Sequence, residues 1–182
     1  MKLLSVIDRG NPTGKRDYAM LLIVARLGIR IGDLCNLKFS NIDWSNQRID
    51  FVQGKTQHRI SLPLLKDVGW ALIDYIQNGR PKIDTPYIFV THVAPFKEFD
   101  QGNRHSRMVR KYMNLAHLTS VNTHKCGMHS LRHTLASTMV ENREKFSNIS
   151  ATLGHRSEDS TAIYLKTGVE LLRDCALEIP EV

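Results

Sequence analysis

The feature that most constrains the fold of this chain is a change of hydrophobic period in its first half. Ile49 and Phe51, then Ile60 and Leu62, alternate with polar residues on either side of Gln53-Gly54-Lys55-Thr56-Gln57. A two-residue period buries one face of an extended strand, so residues 47–63 are expected to form a β-hairpin or two adjacent strands, with Lys55 on the turn. The flanking stretches have helical spacing instead. Asp17 to Leu27 predicts an apolar helix stopped by Gly28, and the polar turn Arg9-Gly10-Asn11-Pro12-Thr13-Gly14-Lys15 separates it from a short N-terminal helix. Gly32 to Leu37, with leucines three apart, predicts a further short helix entered through Ile29-Arg30-Ile31. Leu64 to Ile76 regains the helical period, and Asn78-Gly79-Arg80-Pro81 closes it.

Helices on both sides of one hairpin imply an α+β domain dominated by helix, with a small antiparallel sheet. The rest of the chain extends that pattern. Tyr87 to Val90 reads as a short extended segment. Asn103 to Leu118 reads as a helix with Met108, Tyr112, Leu115 and Ala116 on one side and Arg104, Arg107, Arg110 and Lys111 elsewhere. A helix starting near His129 runs through Leu131, Leu135 and Met139, and Phe146–Leu153, Asp159–Leu165 and Val169–Ala176 predict three more short helices. No internal repeat or second apolar block divides the 182 residues, so one domain over 1–182 is expected.

Charge narrows the partners. Lys plus Arg number 25 against 18 Asp plus Glu, a formal +7 that favours a polyanion such as nucleic acid or an acidic membrane surface. Because the basic residues are spread along the chain, a solubilising excess on an ordinary surface stands beside that reading. The longest apolar run, Ala19 to Ala25, is far too short to cross a bilayer, and Asp8 and Arg9 end the apolar start before a secretory signal could form. No membrane partner is expected. Cys35, Cys126 and Cys175 are odd in number and lack any Cys-x-x-Cys spacing, which suits neither a disulfide framework nor a thiolate zinc site and points to a reducing cytoplasm.

The string His129-Ser130-Leu131-Arg132-His133 is the densest group of residues suited to phosphate chemistry. On a helix, Arg132 shares a face with His129, and both can approach one anion where the backbone amides of the first turn add positive potential. The bland alternative is a surface His and Arg at a helix start. His129 and His133 also have the spacing of a helical zinc pair. However, Ser130 stands where a metallohydrolase has glutamate, and the Arg132 charge repels a cation, so no metal is expected. Arg30, after Gly28, needs a partner, and Asp33 three residues on offers a local ion pair. Lys55 alone is an ordinary turn lysine, and Tyr164, between Ile163 and Leu165, an ordinary half-buried tyrosine.

The order of these residues carries more than any one of them. Gly28-Ile29-Arg30-Ile31-Gly32-Asp33-Leu34, Gly54-Lys55, His129-Ser130-Leu131-Arg132-His133, and Leu153-Gly154-His155 with Tyr164 nine residues later resemble the catalytic domain of the tyrosine recombinases, the phage integrase family. The resemblance covers almost the whole chain. It implies site-specific DNA recombination or integration, in which Tyr164 attacks a scissile phosphate and forms a 3′-phosphotyrosyl link. That link conserves the bond energy, so rejoining requires no ATP or other cofactor.

It further implies that Arg30 and Arg132 grip the non-bridging oxygens and that His155 donates another hydrogen bond to them. His129 accepts or positions the tyrosine proton, and Lys55 protonates the departing 5′ oxygen. Asp33 and His133 are supporting residues. Double-stranded DNA is the implied partner, with self-association on it as a tetramer. Full-length members carry an N-terminal core-binding domain that completes a clamp around DNA. The chain starts almost at the catalytic domain, so that domain is expected to be absent and DNA binding weak and salt-dependent. The apolar stretch with Val169, Leu171, Leu172, Cys175 and Leu177 docks either on a neighbouring protomer or on its own core. Two other functions remain open on sequence: relaxation of DNA in the manner of a type IB topoisomerase, and a non-catalytic DNA-binding relic or regulator.

Overall fold

The computed structural model of the protein describes residues 2–99, 104–118 and 127–154. His155 and Tyr164, the expected helices Asp159–Leu165 and Val169–Ala176, and Cys126 and Cys175 lie outside the described residues. The elements in chain order are α1 (Lys2–Ser5), α2 (Pro12–Leu27), α3 (Ile31–Cys35), β1 (Ile42–Asp43), β2 (Arg48–Val52), β3 (Arg59–Pro63), α4 (Lys66–Asn78), α5 (Arg104–Leu115), α6 (Met128–Glu141) and α7 (Phe146–Leu153). The mainly helical α+β architecture expected from sequence is the one observed.

Helix α2 is the axis of the core. Ala19 through Ala25 are all buried, a helix apolar on every side because α4 packs on one flank and α6 on another. It begins five residues earlier than its period suggests. Asn11 caps it by accepting the Gly14 N–H at 2.8 Å, and Pro12 occupies the first turn, where its missing N–H is no loss. The polar stretch read as a turn is therefore largely the start of the helix. At the other end Gly28, left-handed at φ 64°, donates its N–H to the Val24 carbonyl and turns the chain toward Arg30.

β2 and β3 pair antiparallel with Ile49 opposite Leu62 and Phe51 opposite Ile60, so the alternating apolar residues share the buried face. A two-residue strand, β1, adds a third member that the sequence period was too short to announce, with Ile42 opposite Ile49. Tyr87 to Val90, expected to be extended, bends at Ile88 and is held by single bridges to Lys38 and Glu98 rather than by a ladder, and its Ile88, Phe89 and Val90 fill the core. On α5 Val109 and Tyr112 are buried, joined by Ala116 just past the end of the helix. Leu115, expected on that side, points outward and is 53% exposed.

A charge also enters the core. Asp17 is 3% exposed, accepts two hydrogen bonds from Arg16 at 2.9 and 2.6 Å, and takes a third from the Tyr112 hydroxyl at 2.9 Å. Paired on both oxygens, the carboxylate ties α2 to α5. Helices α6 and α7 close over a smaller cluster of Ala136, Ile149 and Leu153. Among the described residues no helix is long and apolar enough to cross a membrane.

Candidate active site

Three chain segments meet at an open cleft of about 550 Å³, and the sequence-expected residues Arg30, Asp33, Lys55, His129 and Arg132 line it together with Gly54. Each arrives by a local device. The left-handed turn at Gly28 delivers Arg30 just ahead of α3, and α3 carries Asp33 in its first turn. The β2–β3 turn carries Gly54 and Lys55. The first turn of α6 carries His129, and Arg132 follows one turn later on the same helix face.

Arg132 is 3% exposed, and its two terminal nitrogens donate to the carbonyls of Gly28 and Leu153, the ends of α2 and α7. Those carbonyls belong to helix C-termini, which carry partial negative charge, so a cation between them is favourable. The contacts use two of the five N–H groups of a guanidinium, whose fork geometry is what allows it to span both helix ends and still face the cleft.

Arg30 donates to the Gln53 side-chain oxygen at 2.6 Å and to the Gly154 carbonyl at 3.3 Å. The local ion pair expected between Arg30 and Asp33 is not formed. Asp33 instead accepts the Gly54 N–H through Oδ1 at 2.8 Å, while its buried Oδ2 has no hydrogen-bond partner. The reason is reach. Three residues apart at the start of a short helix, the two side chains diverge, one toward the base of the hairpin and the other toward its tip. Asp33 thus pins the turn next to Lys55 rather than steadying Arg30.

His129 and His133 pack edge to face with ring centroids 4.4 Å apart. Partial burial, then the neighbouring His133, Arg132, Arg30 and Lys55, hold the His129 imidazole below its ordinary pKa. The His133 imidazole is lowered by burial and Arg132. A neutral imidazole beside Arg30, Lys55 and Arg132 can accept a proton where these side chains hold an anion. Among the described residues no three His, Cys, Asp or Glu side chains are grouped to hold a metal ion.

Two participants escaped sequence reasoning. Gln53 is 2% exposed and receives both Arg30 and the Thr56 hydroxyl, the latter at 2.6 Å. Its signal was available, because continuing the parity of Ile49 and Phe51 places a polar residue on the buried face. Gly154 adopts φ 58°, and a Cβ there would lie 2.4 Å from the Gln53 amide nitrogen. Only glycine suits both its backbone and its neighbour.

Comparison with known proteins places the chain among relatives. A profile of the phage integrase family matches residues 1–170. The putative integrase/recombinase y4gC of Sinorhizobium fredii is 36% identical over 98% of this chain and 90% of its own length. Another from that organism, y4rF, is 36% identical over 98% of this chain, and tyrosine recombinase XerC of Oceanobacillus iheyensis 30% over 97%. The chain spans only 42% and 57% of the lengths of these two proteins. Among solved structures, XerA recombinase superposes with a TM-score of 0.73 at 28% identity, covering 90% of this chain and 56% of that one. XerH site-specific recombinase bound to difH substrate superposes at 0.75, covering 90% of this chain and 47% of that one, and its 22% identity speaks for the fold alone. With the arginines, the hairpin lysine and the His-x-x-Arg helix gathered at one cleft and a family profile running through nearly the whole sequence, the chain belongs to the phage integrase family.

Proposed function

We propose that this protein cleaves and rejoins DNA strands at specific sites through a 3′-phosphotyrosyl intermediate, with Tyr164 as the nucleophile. The observation that supports this most is the convergence of Arg30, Lys55, His129 and Arg132 on one cleft from three separate segments. Two guanidiniums match the paired non-bridging oxygens of a phosphodiester, and their charge is largest in effect where the transition state gathers negative charge.

In this reading the Tyr164 oxygen attacks phosphorus and its proton passes to His129, whose lowered pKa keeps it neutral and able to accept. The 5′ oxygen leaves with a proton from Lys55, and His155, next in the chain after Gly154, donates to the phosphate. Reversal with another strand's 5′ hydroxyl restores the diester and the free tyrosine, so no bond energy is spent. Asp33 and His133 act on neighbours, the first by holding the Lys55 turn and the second by packing against His129. The partner is double-stranded DNA, on which the protein self-associates as a tetramer. Several similar structures contain DNA, among them the Tn1549 transposon integrase in complex with transposon right end DNA, which supports the DNA partner.

The test is a pool of nicked duplexes of randomised sequence, from which denaturation-resistant protein–DNA adducts are recovered and sequenced. Wild-type protein is expected to yield adducts on a restricted set of sequences, and Tyr164→Phe none. Binding without adducts, or equal adduct from the phenylalanine variant, overturns the proposal.

A further inference from the structure

The base of the Lys55 turn is closed by one residue. The Gln53 N–H donates to the His58 carbonyl and the Gln53 carbonyl accepts from Gln57, both at 2.9 Å. Its side chain points the other way, into the protein, where the single Oε1 accepts Arg30 at 2.6 Å and the Thr56 hydroxyl at 2.6 Å. Two donors converging on one atom identify it as the amide oxygen. An amide suits this position in a way that a carboxylate does not, because it orients a guanidinium without cancelling the charge that a phosphate needs. Gly154 sits against the other side of the amide, so the side chain cannot swing away.

We propose that Gln53 is a positioning residue that couples Arg30 to the Lys55 turn, so that the phosphate-gripping guanidinium and the proton donor for the leaving oxygen take their working places together. The coupling rests on the recombinase reading above and adds to it a residue that touches neither phosphate nor nucleophile. Through Oε1 the Arg30 plane and the Thr56 end of the turn share one anchor. Loosening that anchor releases both groups at once, whereas breaking the Thr56 bond releases the turn alone.

The experiment uses the full chain and a nicked duplex recovered from the adduct selection, made with either oxygen or sulfur at the bridging 5′ position. A thiolate leaves without needing a proton, so sulfur removes the demand on Lys55 and leaves the demand on Arg30. Gln53→Met is expected to slow single-turnover cleavage of the oxygen duplex by about 10–100-fold, as the loss of groups that hold reacting residues typically does. Affinity for the duplex is expected to change less than about threefold. Sulfur should recover part of the Gln53→Met loss and all of the Thr56→Val loss. Thr56→Val, at a half-buried turn position, carries the test if Gln53→Met does not fold.

Complete recovery of Gln53→Met, or none, means that the residue serves one group only, and the coupling is wrong. Oxygen-duplex cleavage at the wild-type rate by either folded variant overturns it as well, as does a Thr56→Val loss that sulfur fails to recover. No adduct from wild type overturns the recombinase reading and the coupling with it. Adduct from wild type with unaffected variants overturns the coupling alone.

Discussion

Gly28 and Gly154 are both left-handed, at φ 64° and 58°, and their carbonyls accept from Arg132 and Arg30 respectively, yet alanine should be far better tolerated at the first. The left-handed conformation costs an L-residue roughly 1–2 kcal/mol at either position. The surroundings then separate them. A Cβ at Gly28 would lie 3.0 Å from Leu153 Cδ2 and 3.1 Å from Leu135 Cδ2, the far ends of side chains that can turn aside. A Cβ at Gly154 would lie 2.4 Å from Gln53 Nε2 and 2.7 Å from its Cδ. That amide is buried and held by Arg30 and Thr56, so it cannot yield cheaply, and overpacking of this kind typically adds about 1–3 kcal/mol. The stiffer unfolded chain offsets about 0.4–1 kcal/mol in both variants.

Gly28→Ala is therefore expected to lose roughly 1 kcal/mol and Gly154→Ala roughly 2–4 kcal/mol. At about 2–4 °C per kcal/mol for a domain of this size, melting falls by about 2–4 °C and about 4–16 °C respectively. Scanning calorimetry measures both, and a urea midpoint that shifts at constant slope confirms that stability alone has changed. A double-mutant cycle completes the test: Gln53→Ala removes the colliding amide, so Gly154→Ala should cost less in that background than in wild type. Equal melting of the two glycine variants, or strict additivity in the cycle, refutes the reasoning.

Tyr112→Phe removes one hydrogen bond to the buried Asp17 carboxylate, so a loss of about 1.5–3 kcal/mol is expected; a melting curve identical to wild type would show that Arg16 alone satisfies that charge. Burial, and secondarily the Arg16 charge, pulls the His92 imidazole from 6.5 down to about 4. The unfolded chain then takes up the proton at a higher pH than the folded one, so the stability from neutral His92 is complete above pH 6.5 and is lost as pH falls toward 4. His92→Asn should flatten the fall in melting temperature across that window, and parallel curves would count against this account. Binding to duplex DNA, driven by the +7 excess, should weaken steeply with salt in a linear log–log plot. An affinity that ignores salt would remove phosphate contacts as its source.

How much of this was legible in the chain follows from the range of the interactions. Periodicity and turn chemistry act between near neighbours, and they announced the hairpin at Ile49–Leu62, the end of α2 at Gly28, and α7 with its boundaries intact. They misread the start of α2, because a capping Asn and a first-turn Pro look like a loop when Gly10 and Gly14 flank them. The stripe of α5 was misjudged at Leu115 for a related reason: which of several apolar residues is buried depends on where the rest of the protein lies, not on helical spacing.

By itself the sequence announced most of the elements in order and named Arg30, Lys55, His129 and Arg132, four side chains that line one cleft. Only the tertiary structure decided what holds them. Arg30 meets Gln53 and Gly154 rather than Asp33, Asp33 meets the Gly54 amide, and Arg132 bridges Gly28 and Leu153. Such partnerships form between residues distant in the chain and brought together by packing. The choice of partner then turns on side-chain reach and unsatisfied backbone groups, quantities that exist only once the helix ends and the hairpin have converged.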